Sequence, residues 1–293
     1  MTTLAASVLI PTRAPGAAIE RVLSAVYRQQ PAFPFPFDVV VVDSGSSPEE
    51  LGIMRRFPLR LHQIDPREFG HGRTRNLLGS LATGEVLVYL SQDAEPASGD
   101  WLARLVAPLA DSSVAGAYAR QLPRPDASPL MRFFLAEMYG PAPARRGLRA
   151  GQVASLGNIF FSNVSSAIRR DVWQTIPFRA DAIMSEDQYW AYDVLRAGFQ
   201  VVYEPAAQVW HSHNYSLRTL YERNWLSGRS LRGLIGDSTG GVARRGLAYL
   251  GREVAYLVGH GQAAWLPYMV PYELARSLGF ALGTAGWPRK RAT

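Results

Sequence analysis

Short, almost wholly apolar runs recur at Ala6–Ile10, Asp38–Val42 and Val86–Leu90, and each stops at a polar turn. A strand buried on both faces reads as such a run, whereas a strand wetted on one face alternates. Between the runs, Ala17–Gln29 sets Ile19, Leu23 and Val26 at helical spacing. Pro31–Pro36 follows as a proline-rich loop, Glu49–Arg56 as a second helix and Leu59–Ile64 as a further strand. This β-α-β-α-β order predicts an α/β fold on a mostly parallel sheet with helices on both faces. Ligands gather at the carboxyl ends of such strands. The closing residues are therefore candidates: Pro11-Thr12-Arg13, Asp43-Ser44-Gly45-Ser46 and Ser91-Gln92-Asp93.

Each candidate has a plainer reading. Asp43 after an apolar strand offers a carboxylate suited to a nucleotide base, but Asp-Ser-Gly-Ser also makes an Asx-turn without any ligand. Asp93 can hold a divalent ion against a phosphate, or cap the helix that Trp101 opens. No G-x-G-x-x-G follows the first strand, which counts against a dinucleotide-binding fold. Asp65–Asn76 is polar, with Arg67, His71, Arg73 and Arg75 leading into a helix at Leu77–Ala82. Arginines at a helix start suit a diphosphate; a solvated loop with Arg75 in a structural ion pair is the other reading.

Val114–Arg120 is a predicted strand, Leu130–Tyr139 a helix and Ala142–Ala150 a mobile basic loop. Phe160–Ser166 reads as a strand or strand end, where Asn163 and Ser165 face a ligand or satisfy backbone groups. Met184–Leu195 reads as a helix capped by Ser185, with Glu186 and Asp187 in its first turn. Strands follow at Phe199–Tyr203 and Gln208–Ser212, the second reaching His211-Ser212-His213. Histidines at i and i+2 on a strand face one side, and imidazole with a carboxylate can bind a divalent ion.

At 293 residues and 47 % hydrophobic, the chain can bury one large domain plus an appendage. It has no cysteine, which excludes disulfides and thiolate metal sites. Of the net charge of +7, residues from Gly240 onward carry +5: seven basic residues (Arg244, Arg245, Arg252, Arg276, Arg289, Lys290, Arg291) against Glu253 and Glu273. The excess sits in an apolar tail rather than on a polar stripe, so nucleic acid is not an expected partner. Arg244–Val258 sets Leu247, Leu250, Val254 and Leu257 on one predicted helical stripe. Val254–Tyr272 lacks charge but is interrupted by Gly259, His260, Gly261, Pro267 and Pro271. Peripheral contact with a membrane interface, a helical lid and a dimer surface all fit this tail. The first residues lack a basic n-region and a long apolar core, which points to a cytoplasmic location, with peripheral attachment to the inner face of the plasma membrane as the expected membrane contact.

Taken together, Val8–Thr12, Asp43–Ser46, Thr74–Asn76, Ser91–Asp93 and Glu186–Asp187 follow the order of motifs in inverting family-two glycosyltransferases of the GT-A fold. The chain resembles that family over roughly residues 6–215. The phrases EFGHGRTRN, SQDAEP, RQLPRPDA and FFSNVSSAIRRDVW resemble its bacterial rhamnosyltransferase subgroup. The resemblance implies a GT-A, Rossmann-like domain over residues 1–215, its nucleotide-binding half about 1–100 and its acceptor half about 101–215. Residues 216–293 form a basic amphipathic helical appendage. It implies Asp187 as catalytic base and Pro11, Thr12, Arg13, Asp43, Ser44, Arg75, Asn76, Gln92 and Asp93 at the donor. Asn163, Ser165, Glu186 and Gln188 fall near the sugar or acceptor. Asp93 and His211, with His213 behind them, would hold Mg²⁺ or Mn²⁺. The first acidic position of the Asp-x-Asp motif is Ser91 here.

The expected activity is transfer of a sugar, L-rhamnose from dTDP-L-rhamnose in the narrower resemblance, from a nucleotide diphosphate to a glycan or lipid-linked acceptor. Two other classes stay open. A nucleotidyltransferase would want a richer glycine-arginine loop than Pro11–Gly16, and Ser91 invites a non-catalytic nucleotide-sugar-binding or scaffold protein.

Overall fold

In the computed structural model, which describes residues 5–29, 32–33, 36–149, 151–235 and 242–287, the backbone alone over 242–245, the apolar runs become strands. The first half alternates β1 (Ala6–Thr12), α1 (Ala18–Tyr27), β2 (Phe37–Asp43), α2 (Pro48–Met54), β3 (Arg60–Gln63), α3 (His71–Leu81) and β4 (Val86–Leu90). Then come β5 (Glu95–Pro96), α4 (Trp101–Val106), β6 (Val114–Leu122), α5 (Pro129–Met138), β7 (Ala144–Arg146), α6 (Leu156–Ile159), β8 (Ser165–Arg169) and α7 (Arg170–Thr175). The chain continues through α8 (Glu186–Arg196), β9 (Gln200–Trp210), α9 (Leu217–Leu231), α10 (Val242–Gly259) and α11 (Leu266–Thr284).

The strands make one sheet in the order β3-β2-β1-β4-β8-β6-β9-β5, with β7 on β9. Strands β1 to β4 are all parallel, β8 enters antiparallel between β4 and β6, and β6 and β9 run parallel. Side chains alternate between two cores as the period of two requires. Val8, Ile10, Val39, Val41, Val86 and Val88 pack on one face with α1, α2 and α4. Leu9, Val40, Val42, Leu87 and Tyr89 pack on the other with α3, α5 and α8. A third cluster, built on Leu130, Leu220, Leu257, Met269 and Tyr272, joins α5 to α9, α10 and α11.

Three local expectations are corrected. Helix α3 begins at His71, not Leu77, because its polar first turn is buried by tertiary contacts rather than by an apolar stripe. Residues 144–146, expected in a loop, pair as β7 with β9. On α10 the inward face is Glu253 and Leu257, while Leu247 and Val254 are exposed. Of the proline-rich loop, residues 31, 34 and 35 lie outside the described residues, as do Arg289, Lys290, Arg291 and the side chains of Arg244 and Arg245. Among the described residues, no helix is long and apolar enough to cross a membrane.

Candidate active site

The carboxyl ends of β1, β2 and β4 lie side by side and are tied together by side chains. Asp43 is fully buried at the end of β2. Its Oδ1 accepts from the Thr12 hydroxyl at 2.9 Å and from the Ser46 hydroxyl, and its Oδ2 accepts from the Gly45 and Ser46 N–H groups at 3.2 and 3.1 Å. Those four bonds fill the four lone pairs of a carboxylate. The Asx-turn is therefore present, and a base contact by Asp43 would require one bond to be exchanged. Ser44 is also fully buried, its hydroxyl donating to the Thr12 carbonyl at 3.1 Å. Gln92 clamps the backbone of exposed Arg13 at both ends, accepting from its N–H at 2.7 Å and donating to its carbonyl at 3.2 Å. Ala14, next along, holds φ of 44°, a strained value for a residue with a Cβ.

At the end of β4, Asp93 faces both histidines. His211 Nε2 lies 3.5 Å from Oδ1 and His213 Nε2 3.2 Å from Oδ2. The two imidazole nitrogens are 3.2 Å apart. His213, ranked behind His211 from the sequence, is thus as close to the carboxylate. Both histidines lie just past β9. Gln121 on neighbouring β6 accepts from His211 Nδ1 at 2.8 Å, which turns the Nε2 lone pair toward Asp93. Gln121 itself is held by the Tyr139 and Ser162 hydroxyls. Burial pushes the His211 imidazolium down to about 4, against the pull of Asp93, so its ring is neutral near pH 7. Burial acts against ionised Asp93, but the His213 hydrogen bond and the His211 charge outweigh it and hold the carboxyl at about 2. A carboxylate and two imidazole nitrogens within 4.8 Å of one another need a proton or a cation between them. That donor set fits a divalent ion, with His213 supplying a ligand where Ser91 cannot.

The second cluster gathers around α8. Ser185, at the helix N-cap, makes no side-chain cap bond and takes φ of 61°, a left-handed conformation. That departs from the expected Ser cap and puts backbone strain immediately before Glu186-Asp187. Glu186 Oε1 pairs with Arg75 Nη1 at 2.8 Å, both side chains nearly dry, and accepts from Asn163 Nδ2 at 3.2 Å. Arg75 is thereby placed on Glu186, its ion-pair reading. Burial would raise the Glu186 carboxyl, but the charges of Arg75 and His71 outweigh it and keep it low. Asp187, half-buried, is raised by burial first and then by the Glu186 charge. Its oxygens accept from Asn163 N–H at 3.1 Å and Gln188 N–H at 2.9 Å, which leaves lone pairs free to take a proton.

Other expected site residues are occupied elsewhere. Asn76 bridges α3 to the segment before α8: its amide donates to the Phe178 carbonyl at 2.8 Å and accepts from Phe178 N–H and Trp173 Nε1. Ser165 is buried, accepting from Trp101 Nε1 at 3.0 Å, and so satisfies the core rather than an acceptor. Gln188 donates to the Phe161 carbonyl at 2.6 Å and lines a cleft of about 1010 Å³. Ser185, Gln121, His211 and His213 line the same cleft, whose floor is apolar through Met131, Phe134, Leu135 and Phe160. Arg223 reaches this cleft without being a sequence candidate, and Gln121 lies within the phrase RQLPRPDA but carries no expected role of its own.

A raised carboxyl whose neighbours Ser185 and Gln188 line the cleft, with two histidines of a candidate ion site on the same cleft, suits group transfer, and the family comparison decides which group. The family model described as glycosyl transferase family 2 matches residues 7–176, more than half of the chain. The chain belongs to glycosyl transferase family 2. The match ends before Asp187 and the histidines. Family membership makes the chain a glycosyltransferase, in place of the nucleotidyltransferase reading. Among curated relatives, the O-antigen chain rhamnosyltransferase RfbN of Salmonella typhimurium is 29 % identical over 94 % of this chain and 88 % of its own length. The O-antigen chain rhamnosyltransferase WbaN of Salmonella anatum is 29 % identical over 85 % of this chain and 80 % of its own. Among solved structures, the mannosyltransferase PcManGT from Pyrobaculum calidifontis, in complex with GDP-Man and Mn²⁺, superposes with a TM-score of 0.64 at 20 % identity, covering 99 % of this chain and 89 % of that one. S. aureus TarS 1-349 in complex with UDP-GlcNAc gives 0.53 at 15 % identity, over 96 % and 91 %. These neighbours establish the family's GT-A-like fold for the chain.

Proposed function

We propose that this glycosyltransferase moves L-rhamnose from dTDP-L-rhamnose to a hydroxyl of a glycan or lipid-linked acceptor, with inversion and with Mg²⁺ or Mn²⁺ bound. The observation that carries the mechanism is Asp187: its carboxyl is raised, it keeps open lone pairs, and its neighbours Ser185 and Gln188 line the cleft shared with His211 and His213. The sugar rests on the two relatives named as rhamnosyltransferases.

Asp187 Oδ takes the acceptor hydroxyl proton as the acceptor oxygen bonds to the anomeric carbon. The bond from that carbon to the phosphate oxygen breaks, and its electron pair leaves with the nucleoside diphosphate. Arg75 keeps Glu186 ionised beside Asp187, and that negative charge helps make Asp187 a stronger base. Asp93, His211 and His213 would hold the ion, which supplies positive charge against the diphosphate. The test is single-turnover transfer from a panel of nucleotide-sugars by wild type and Asp187→Asn, with the product anomer read by NMR. The variant should lose about 10²–10⁴-fold in rate. A retained anomer, or near-normal transfer by the variant, removes Asp187 from this role.

The C-terminal helices add a peripheral membrane contact to this reading, on the cytoplasmic face. Val270, Leu274 and Leu278 recur at i, i+4 and i+8 on α11 and are each more than half exposed, and the tail is basic. Vesicles with anionic lipid should co-sediment the protein, less so at high salt. Equal binding to neutral vesicles, or none, refutes it.

A further inference from the structure

Three arginines reach the cleft beside the candidate ion site: Arg146, Arg223 and Arg276. Two are occupied. Arg146 donates to the Tyr118 hydroxyl and to the Gly157 carbonyl at 3.2 Å, and Arg276 to the Glu273 carboxylate at 2.9 Å. Arg223, on α9, takes no hydrogen-bond or ion-pair partner among the described residues. Its guanidinium instead lies over the Tyr215 ring, 5.0 Å from the centroid. Tyr215 stacks on His213 with centroids 5.1 Å apart, and His213 meets Asp93 at 3.2 Å. A chain of ring contacts thus runs from the candidate ion site through His213 and Tyr215 to a positive charge without a hydrogen-bond or ion-pair partner among the described residues. The charge also reaches the start of α3, where burial, then Arg75 and Arg223, push His71 down.

A guanidinium held by its face keeps its edge, with its N–H fork, free. In a cleft with an apolar floor, a substrate that displaces water from that fork must offer acceptors or leave the donors unmade, which is costly. We propose that Arg223 binds phosphate oxygens of a substrate, on the cleft side of the His211–His213 pair. This rests on the proposed reading that a diphosphate lies against that pair. Two sources carry the same oxyanion chemistry: the diphosphate of the donor, and a phosphate on the acceptor. In the first case Arg223 also balances the charge that grows on the leaving group. The appended helices then complete the active site, since α9 delivers this charge.

Wild type, Arg223→Lys and Arg223→Met are titrated by calorimetry with dTDP and with inorganic pyrophosphate in the presence of Mn²⁺, and the acceptor KM is measured for each. With the donor as source, Arg223→Met weakens both ligands by about 10- to 100-fold, the range for charge-assisted bonds. Arg223→Lys recovers part of the loss, because it restores charge but not the fork. Melting temperature and Mn²⁺ affinity stay at wild-type values, which a helix-stabilising role would not allow. Tyr215→Leu, which removes the platform, should weaken the same ligands, and Tyr215→Phe should not. Unchanged affinities with a raised acceptor KM assign the phosphate to the acceptor. A pyrophosphate loss in Arg223→Met, with no dTDP bound by any form, overturns the donor reading and supports Arg223. Equal affinities and equal KM in all three proteins overturn the proposal.

Discussion

Replacing Arg75 by methionine keeps much of the side-chain stem and deletes the charge that faces Glu186. The two side chains are 9 % and 5 % exposed and meet at 2.8 Å. The carboxylate left behind would keep one neutral donor, Asn163 Nδ2 at 3.2 Å. Breaking a buried pair from one side costs about 3–5 kcal/mol, because the remaining charge is neither solvated nor matched. With an unfolding entropy of about 2.1 cal/mol/K per residue, a 293-residue chain loses roughly 5–8 °C of melting temperature. The double variant Arg75→Met/Glu186→Gln should regain a large part of that loss, since a buried amide needs no counter-charge. Thermal unfolding followed by circular dichroism measures both. dTDP affinity, by calorimetry, should change little in Arg75→Met, because the guanidinium is turned to Glu186. A variant that melts within about 1 °C of wild type while losing dTDP affinity would make Arg75 a donor ligand and refute the argument.

As the proposed base, Asp187 would work deprotonated, and its carboxyl is raised, so kcat/KM should fall with decreasing pH through a range above that of an ordinary carboxylate. Glu186→Gln removes a like charge and lowers the Asp187 pKa, so the acid limb should move to lower pH; a limb that stays in place, or moves up, contradicts the pairing. Gln121→Leu should weaken Mn²⁺ binding by about 10- to 100-fold, as loss of a group that orients a ligand does, read by Mn²⁺ titration with EPR. His213→Ala should weaken it at least as far, and unchanged affinity in either variant removes that residue from the ion site. Gly72→Ala places a Cβ against the Arg179 carbonyl. It should cost about 1–3 kcal/mol through forced backbone shift and, by moving α3 with Arg75, lower the transfer rate; a melting temperature equal to wild type would show that the contact gives way freely.

Local pattern made the strands and their carboxyl ends legible, because burial on both faces leaves an apolar run that a polar turn must end. Asp43 and Asp93 are legible in that way. Helix α3 extends beyond what its pattern predicts because its first turn is polar: Gly72, packed against the backbone at 179, and Arg75, paired with Glu186, are buried by partners far along the chain. The same limit hid the inward Glu253 of α10, which breaks the apolar stripe that spacing alone predicts.

The histidine pair shows why the rest of the site could not be read. Alternation on a strand places His211 and His213 on one side, but both lie beyond the last residue of β9, where that rule no longer holds the rings. What aims His211 is Gln121, whose Oε1 accepts from Nδ1 at 2.8 Å and thereby leaves Nε2 as a lone pair facing Asp93. His213 is held by Tyr215, stacked against it, whose ring also carries Arg223. A glutamine in a strand, a tyrosine in a loop and an arginine on a helix are each ordinary at their own positions. Their chemistry exists only in the assembled fold, where β6, β9 and α9 bring them to one cleft. The candidate site carboxylates are legible by type and order, whereas the groups placed around them are specified by packing.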